Sequence, residues 1–180
     1  MIYRGGLAAL VSAAHAHGAA EPKVREWVGA ALANLAGSAF ANDDIHEKMI
    51  DGGAPKAAVA MLRACDLTSE GEGGLRCARF CLGVWAHLAR DKSDGSEACV
   101  ACGFVEATVK VMLETPGSSA AAAEVMEEGC RAFATLAFAD AEGKAALRDG
   151  GARRALTAAC DKHPTQHKVQ EMGRALLMEF

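Results

Sequence analysis

"HEKMIDGGAPKAAVAMLRAC", residues 46–65, sets a glycine pair, Gly52-Gly53, between a short amphipathic segment and an apolar helical run. The pair, or a close substitute, recurs at Gly5-Gly6, Cys102-Gly103 and Gly150-Gly151. Measured on the second member, the steps are 47, 50 and 48 residues. Segments such as "SEACVACG" (96–103) and "GKAALRDGG" (143–151) lead into the pairs. An apolar helix follows each pair: "LAALVSAAHAH", "APKAAVAMLRAC", "FVEATVKVMLET" and "ARRALTAACDKH". A second, more buried helix then closes each unit: "VREWVGAALANLA", "LRCARFCLGVWAHLA", "VMEEGCRAFATLA" and "VQEMGRALLMEF". Helical self-similarity at this period predicts a solenoid, in which each unit buries its apolar face against its neighbours. The expected units are residues 5–51, 52–101, 102–149 and 150–180.

Composition agrees with an all-α chain. Alanine, the strongest helix former, supplies 40 of the 180 residues, and aromatics only 5%. Hydrophobic residues at 51% against 23% charged ones give a globular balance and not a disordered one. No β-branched run alternates with period two, so no strand is expected. Aligning the last helices on their apolar positions predicts a core column of Leu32, Trp85, Phe133 and Leu176. A second column is Ala31, Val84, Ala132 and Ala175. A third, Leu35, Leu88 and Leu136, meets Glu179 in the fourth unit, as a capping unit with a polar outer face would. "DLTSEGEGG" (66–74) and "GSAFANDD" (37–44) read as loop insertions, with "GEGG" as a flexible linker.

Net charge and cysteines narrow the function. The net charge is −4 and no basic run exceeds Arg153-Arg154, so nucleic acid is an unsuitable partner. No stretch approaches the length of an apolar membrane span. Seven cysteines in apolar helical contexts suggest free thiols in a reducing compartment, cytosol or nucleus. Cys77, Cys81, Cys99 and Cys102 have the spacing of two half-sites for a metal or redox centre. Cys77 and Cys81, however, lie one helical turn apart on an apolar face, where thiols pack as small hydrophobes. His15, His17, His163 and His167 read as surface histidines, and the acidic pairs Asp43-Asp44 and Glu127-Glu128 as solvated helix ends. Serine-nucleophile, Walker and dinucleotide fingerprints are missing, so neither catalysis nor a cofactor is expected.

These features resemble the armadillo repeats, the family of importin-α and β-catenin. The resemblance rests on "GGLAALVSA", "ALANLA" and "HEKMIDGGAPKAAVAML". It extends more loosely through "GVWAHLA" with "ACGFVEATVKVML", and "RAFATLA" with "RDGGARRAL". It spans nearly the whole chain in about four units; HEAT repeats are the nearest alternative. The resemblance implies a right-handed superhelix of three-helix repeats whose third helices line a concave groove. It also implies that an asparagine near the end of the third helix bonds the backbone of an extended peptide. Asn34 stands at that position, with His87, Thr135 and Met178 in the later units. The family's tryptophan position carries Ala30, Gly83, Arg131 and Arg174, while Trp27 and Trp85 fall on other columns and are expected to pack inside or between helices. Ile2-Tyr3-Arg4-Gly5-Gly6 resembles the tail of a preceding repeat.

The expected function is therefore a non-catalytic protein-interaction scaffold. Its groove would use Asn34, Arg79, His87, Arg131, Thr135 and Arg174. Lys23, Glu26, Arg76, Glu124, Glu127, His167 and Gln170 would lie further along the same helices. Arg79, Arg131 and Arg174 would pair with an acidic peptide, while Asn34 and Thr135 bond its backbone. Glu124 and Glu127 are positioned to neutralise Arg131. A structural segment of a cytoskeletal or axonemal scaffold is the alternative.

Overall fold

The computed structural model describes residues 5–39, 42–90 and 93–180, so Ile2, Tyr3 and Arg4 lie outside the described residues. Among those described there are eleven helices and no strand. They are α1 (Gly6–His17), α2 (Pro22–Ala39), α3 (Asp43–Asp51), α4 (Ala54–Ala64), α5 (Glu72–Leu88), α6 (Ser93–Ala101), α7 (Phe104–Glu114), α8 (Ala120–Ala139), α9 (Ala141–Asp149), α10 (Ala152–Lys162) and α11 (His167–Leu177). None is long and apolar enough to cross a membrane.

The helices run as short, medium and long in turn, save that α11, which stands in the long-helix place, has 11 residues like α10 before it; the local sequence explains several of the starts. Asn42, Ser119 and Asp140 cap α3, α8 and α9, their side chains accepting from the amides of Ile45, Ala122 and Gly143. These acceptors satisfy amides that would otherwise have no partner in the first turn. The medium helices start differently. Gly5, Gly53, Gly103 and Gly151 precede α1, α4, α7 and α10 with φ of 77°, 77°, 74° and 86°. This left-handed conformation is cheap only for glycine and turns the short helix sharply into the next. In the first pair the turning residue is Gly5, not Gly6, so the steps become 48, 50 and 48.

Successive triplets pack in three files: α1 on α4, α4 on α7 and α7 on α10; α6 on α9; and α2 on α5, α5 on α8 and α8 on α11. The long helices carry the core. Leu32, Trp85, Phe133 and Leu176 are all buried, and the Trp85 ring lies 4.8 Å from that of Phe104.

Several sequence expectations change. Trp27 does not pack between helices; it is 70% exposed on α2. His163 is not a surface residue but buried, with neither ring nitrogen hydrogen-bonded. Glu127 and Glu128 are half-buried within α8, where both form ion pairs. "GEGG" is no linker, because α5 begins at Glu72. The segment before it is ordered by Asp66, which accepts from the Thr68 and Ser69 amides at 3.0 and 2.9 Å. Those bonds hold its carboxyl well below the usual range. The fourth unit is also displaced by one residue. Gly129 of α8 packs against Met112, and Gly173 of α11 against Cys160. Met112 and Cys160 each lie nine residues beyond a junction glycine, so Gly129 and Gly173 are equivalent. The position of Leu136 is then filled by half-buried Phe180, and Glu179 leaves the core column to pair with Lys144 at 2.6 Å.

Candidate partner-binding surface

The candidate surface is formed by the long helices α2, α5, α8 and α11. Their contacts repeat in register. Glu26 of α2 pairs with Arg76 of α5 at 2.8 Å, Arg79 of α5 with Glu124 of α8 at 3.3 Å, and Glu127 of α8 with Lys168 of α11 at 2.7 Å. These are equivalent rungs on three successive helix pairs, with the signs alternating between carboxylate-first and cation-first. Arg76, then Lys23, holds the nearly buried Glu26 carboxyl below its ordinary range against the opposing effect of burial.

The rungs consume most of the charge expected to face a ligand. Arg79 is paired with Glu124 and also lies 4.6 Å over the Phe80 ring, so it is not an open cation. Arg131 is paired with Glu128, whose Oε2 accepts from its Nε at 3.0 Å and from its Nη2, rather than with Glu124 or Glu127. Gln170 donates to the carbonyls of Cys160 and His163 and clasps α11 to the end of α10. His167 pairs with Glu171 at 3.5 Å.

The remaining site residues separate into two places. Ala86, Arg90, Arg131, Ala134, Thr135 and Phe138 line a depression of about 280 Å³ between α5 and α8. His87 lies beside it, half-buried against Gly37. Burial first, then the charges of Arg131 and Arg90, lower the His87 pKa. Thr135 donates its hydroxyl proton to the Arg131 carbonyl at 2.9 Å, so toward a ligand it offers lone pairs. Phe138, 73% exposed, closes the rim. Arg174 is elsewhere. With the one-residue shift it corresponds to Cys130 and not to Arg131, and it lines a separate depression of about 430 Å³ with Thr157, Cys160, Asp161, Pro164, Gln170 and Leu177. Met178 moves likewise, and Glu179 takes the position of Thr135. Asn34 is exposed at the far end on α2, and its side chain makes no hydrogen bond among the described residues. Arg90 and Phe138 were not expected from sequence. Both lie three residues beyond a groove position, where α5 and α8 end.

The thiols form no comparable centre. Cys77 and Cys81 Sγ are 4.0 Å apart and buried, and all seven cysteines are free. Burial pushes Cys102 up to about 11 and Cys130 up to about 12. Among the described residues, no group of three or more histidine, cysteine or acidic side chains is placed to hold a metal.

The fold is similar to that of an engineered protein whose crystal structure was determined by the Northeast Structural Genomics Consortium. The TM-score is 0.52 at 21% identity, covering 99% of this chain and 82% of that one. At that identity the likeness bears on the fold alone. No family model and no curated protein matches the chain.

Proposed function

We propose that the chain is an armadillo-type right-handed solenoid of four repeats, 5–51, 52–101, 102–149 and 150–180, acting as a non-catalytic interaction scaffold in the cytosol or nucleus. The helix triplets, the positive-φ glycine before each medium helix and the in-register files of long helices support the architecture. The observation that carries the functional reading is the α5–α8 depression. It sets Arg90 and Arg131 beside the exposed ring of Phe138, over a floor of Ala86 and Ala134. This chemistry suits an acidic side chain next to an apolar one on an extended peptide: Glu128 occupies the Nε and Nη2 edge of Arg131, whose side chain is 41% exposed, and the Nη1 group can add a charge-assisted hydrogen bond to a ligand carboxylate. Thr135 accepts from the peptide backbone, and Asn34 extends the same face at the α2 end. Arg79 and Arg174 play no part in this ligand site.

The test is binding to an array of short peptides with acidic–apolar, basic–apolar and scrambled patterns. Acidic–apolar peptides are expected to bind, with at least tenfold loss for Arg131→Glu and a smaller loss for Phe138→Ala, while Arg79→Glu leaves binding unchanged. Equal binding by Arg131→Glu, or a preference for basic peptides, would contradict the reading.

A further inference from the structure

α5 and α8 each use one stripe to meet the helix before them in the file and another to meet the helix after. Toward the predecessor, α5 presents Arg76, Phe80, Gly83 and His87, and α8 presents Glu124, Glu128, Arg131 and Thr135. Arg76 meets Glu26, Phe80 Cβ comes within 3.4 Å of the site of a Cβ on Gly29, and Gly83 stands against Ala33. Glu124 meets Arg79, Glu128 and Arg131 flank Gly83, and Thr135 Oγ1 lies 3.4 Å from the Ala86 carbonyl. The equivalent stripe on α2 is Lys23, Trp27, Ala30 and Asn34, and no described helix covers it. Trp27 is 70% exposed and the Lys23 side chain 76% exposed.

Toward the successor, α2 presents Glu26, Gly29 and Ala33, and α8 presents Glu127 to Lys168. The equivalent stripe on α11 is Glu171, Arg174 and Met178. It too is open. Glu171 has a side chain 70% exposed, Met178 is 89% exposed, and Arg174 has no ion pair among the described residues while lining the 430 Å³ depression. The large hydrophobics exposed among the described residues are Trp27, Phe138 and Met178, so two of the three fall on these two end stripes.

The stripes complement each other position by position. The rungs run Glu26–Arg76, Arg79–Glu124 and Glu127–Lys168, and the next rung would join Glu171 to Lys23, carboxylate to ammonium. The Gly29–Phe80 contact becomes Arg174 beside Trp27, a guanidinium over the most favourable aromatic face. Ala33 against Gly83 becomes Met178 against Ala30, so docking covers Met178 here and Trp27 at the neighbouring position.

We infer that copies of this chain associate head to tail, the α11 stripe of one copy (Glu171, Arg174, Met178) docking on the α2 stripe of the next (Lys23, Trp27, Ala30). Such an interface is heterologous and leaves a free stripe at each end, so it grows into open chains instead of stopping at a dimer. It rests on the repeat register of the solenoid and not on the α5–α8 peptide site.

The test is sedimentation of the 180-residue chain over a wide concentration range at low and moderate salt, with Trp27 fluorescence followed in parallel. Mass is expected to grow past the dimer with concentration, less so at high salt, while Trp27 emission shifts to the blue. Lys23→Glu and Glu171→Lys should each lower the association constant at least tenfold by placing like charges on the rung. The double variant Lys23→Glu/Glu171→Lys should restore it, and Trp27→Ala should weaken association without changing the helical circular dichroism. A monomer at every concentration, a closed dimer, or association that survives both single charge reversals would overturn the proposal. Retained peptide binding by Arg131-intact monomers would leave the groove reading standing in that case.

Discussion

Arg25 is a charged side chain held outside the apolar core at full burial. It lies on α2, donating to the Gly18 carbonyl at the end of α1 and to the Glu70 carboxylate in the segment before α5. One guanidinium thereby ties two helices to a loop. Arg25→Ala removes a charged donor from both acceptors and leaves a cavity. Breaking a buried pair from one side costs roughly 3–5 kcal/mol. The Glu70 side chain keeps 16% exposure and can recover some hydration, which argues for the lower end, about 3 kcal/mol. That is about two powers of ten in the folding equilibrium. Urea unfolding followed by far-UV circular dichroism and by Trp fluorescence measures it and checks that the transition is two-state. Arg25→Met/Glu70→Leu, which removes both charges, should recover the part of the loss due to the stranded carboxylate but not the part due to the Gly18 carbonyl, which still lacks its donor. Arg76→Ala is the control, because its guanidinium is 39% exposed and Lys23 still pairs with the Glu26 carboxyl when Arg76 is gone. If Arg25→Ala costs no more than Arg76→Ala, the reasoning about burial fails.

Two further outcomes are expected. Phe133→Ala empties a fully buried ring site in the long-helix core and should cost roughly 3–5 kcal/mol; unchanged melting would mean that Phe133 is not in that core. Burial, then the Lys162 charge, lowers the His163 pKa below its ordinary value near 6.5. The unfolded chain therefore takes up the proton first, so this contribution is intact above about pH 6.5 and is lost as pH falls below it. The urea midpoint should drop on acidification more steeply in the parent than in His163→Gln; equal slopes in the two would refute the assignment.

The helical architecture was legible because it is written in local signals. The glycine pairs, the alanine-rich helices and the buried positions of Leu32, Trp85, Phe133 and Leu176 all depend on near neighbours in sequence. The surface was less legible, because it depends on register between helices. Arg79 and Arg131 look alike in sequence, and only the opposite helix shows that Glu124 stands within 3.3 Å of Arg79. Arg174 and Met178 were misplaced by one residue because apolar spacing alone does not resolve a shift that Gly173 against Cys160 makes plain. Arg25 and His163 carried no sequence signal, since burial of a charged or polar residue is decided by the segments folded over it.

The register of the long helices underlies both the groove and the end stripes, and a disulfide tests it most directly. A Cβ on Gly83 would stand 3.9 Å from that of Ala33, within the 3.5–4.5 Å range a disulfide requires. Ala33→Cys/Gly83→Cys, oxidised mildly while folded and mapped by mass spectrometry, should link positions 33 and 83 within one chain, and Ala33→Cys/Ala86→Cys should not. Absence of the 33–83 link, or a link at 33–86 instead, would contradict the stacking of α2 on α5 described above.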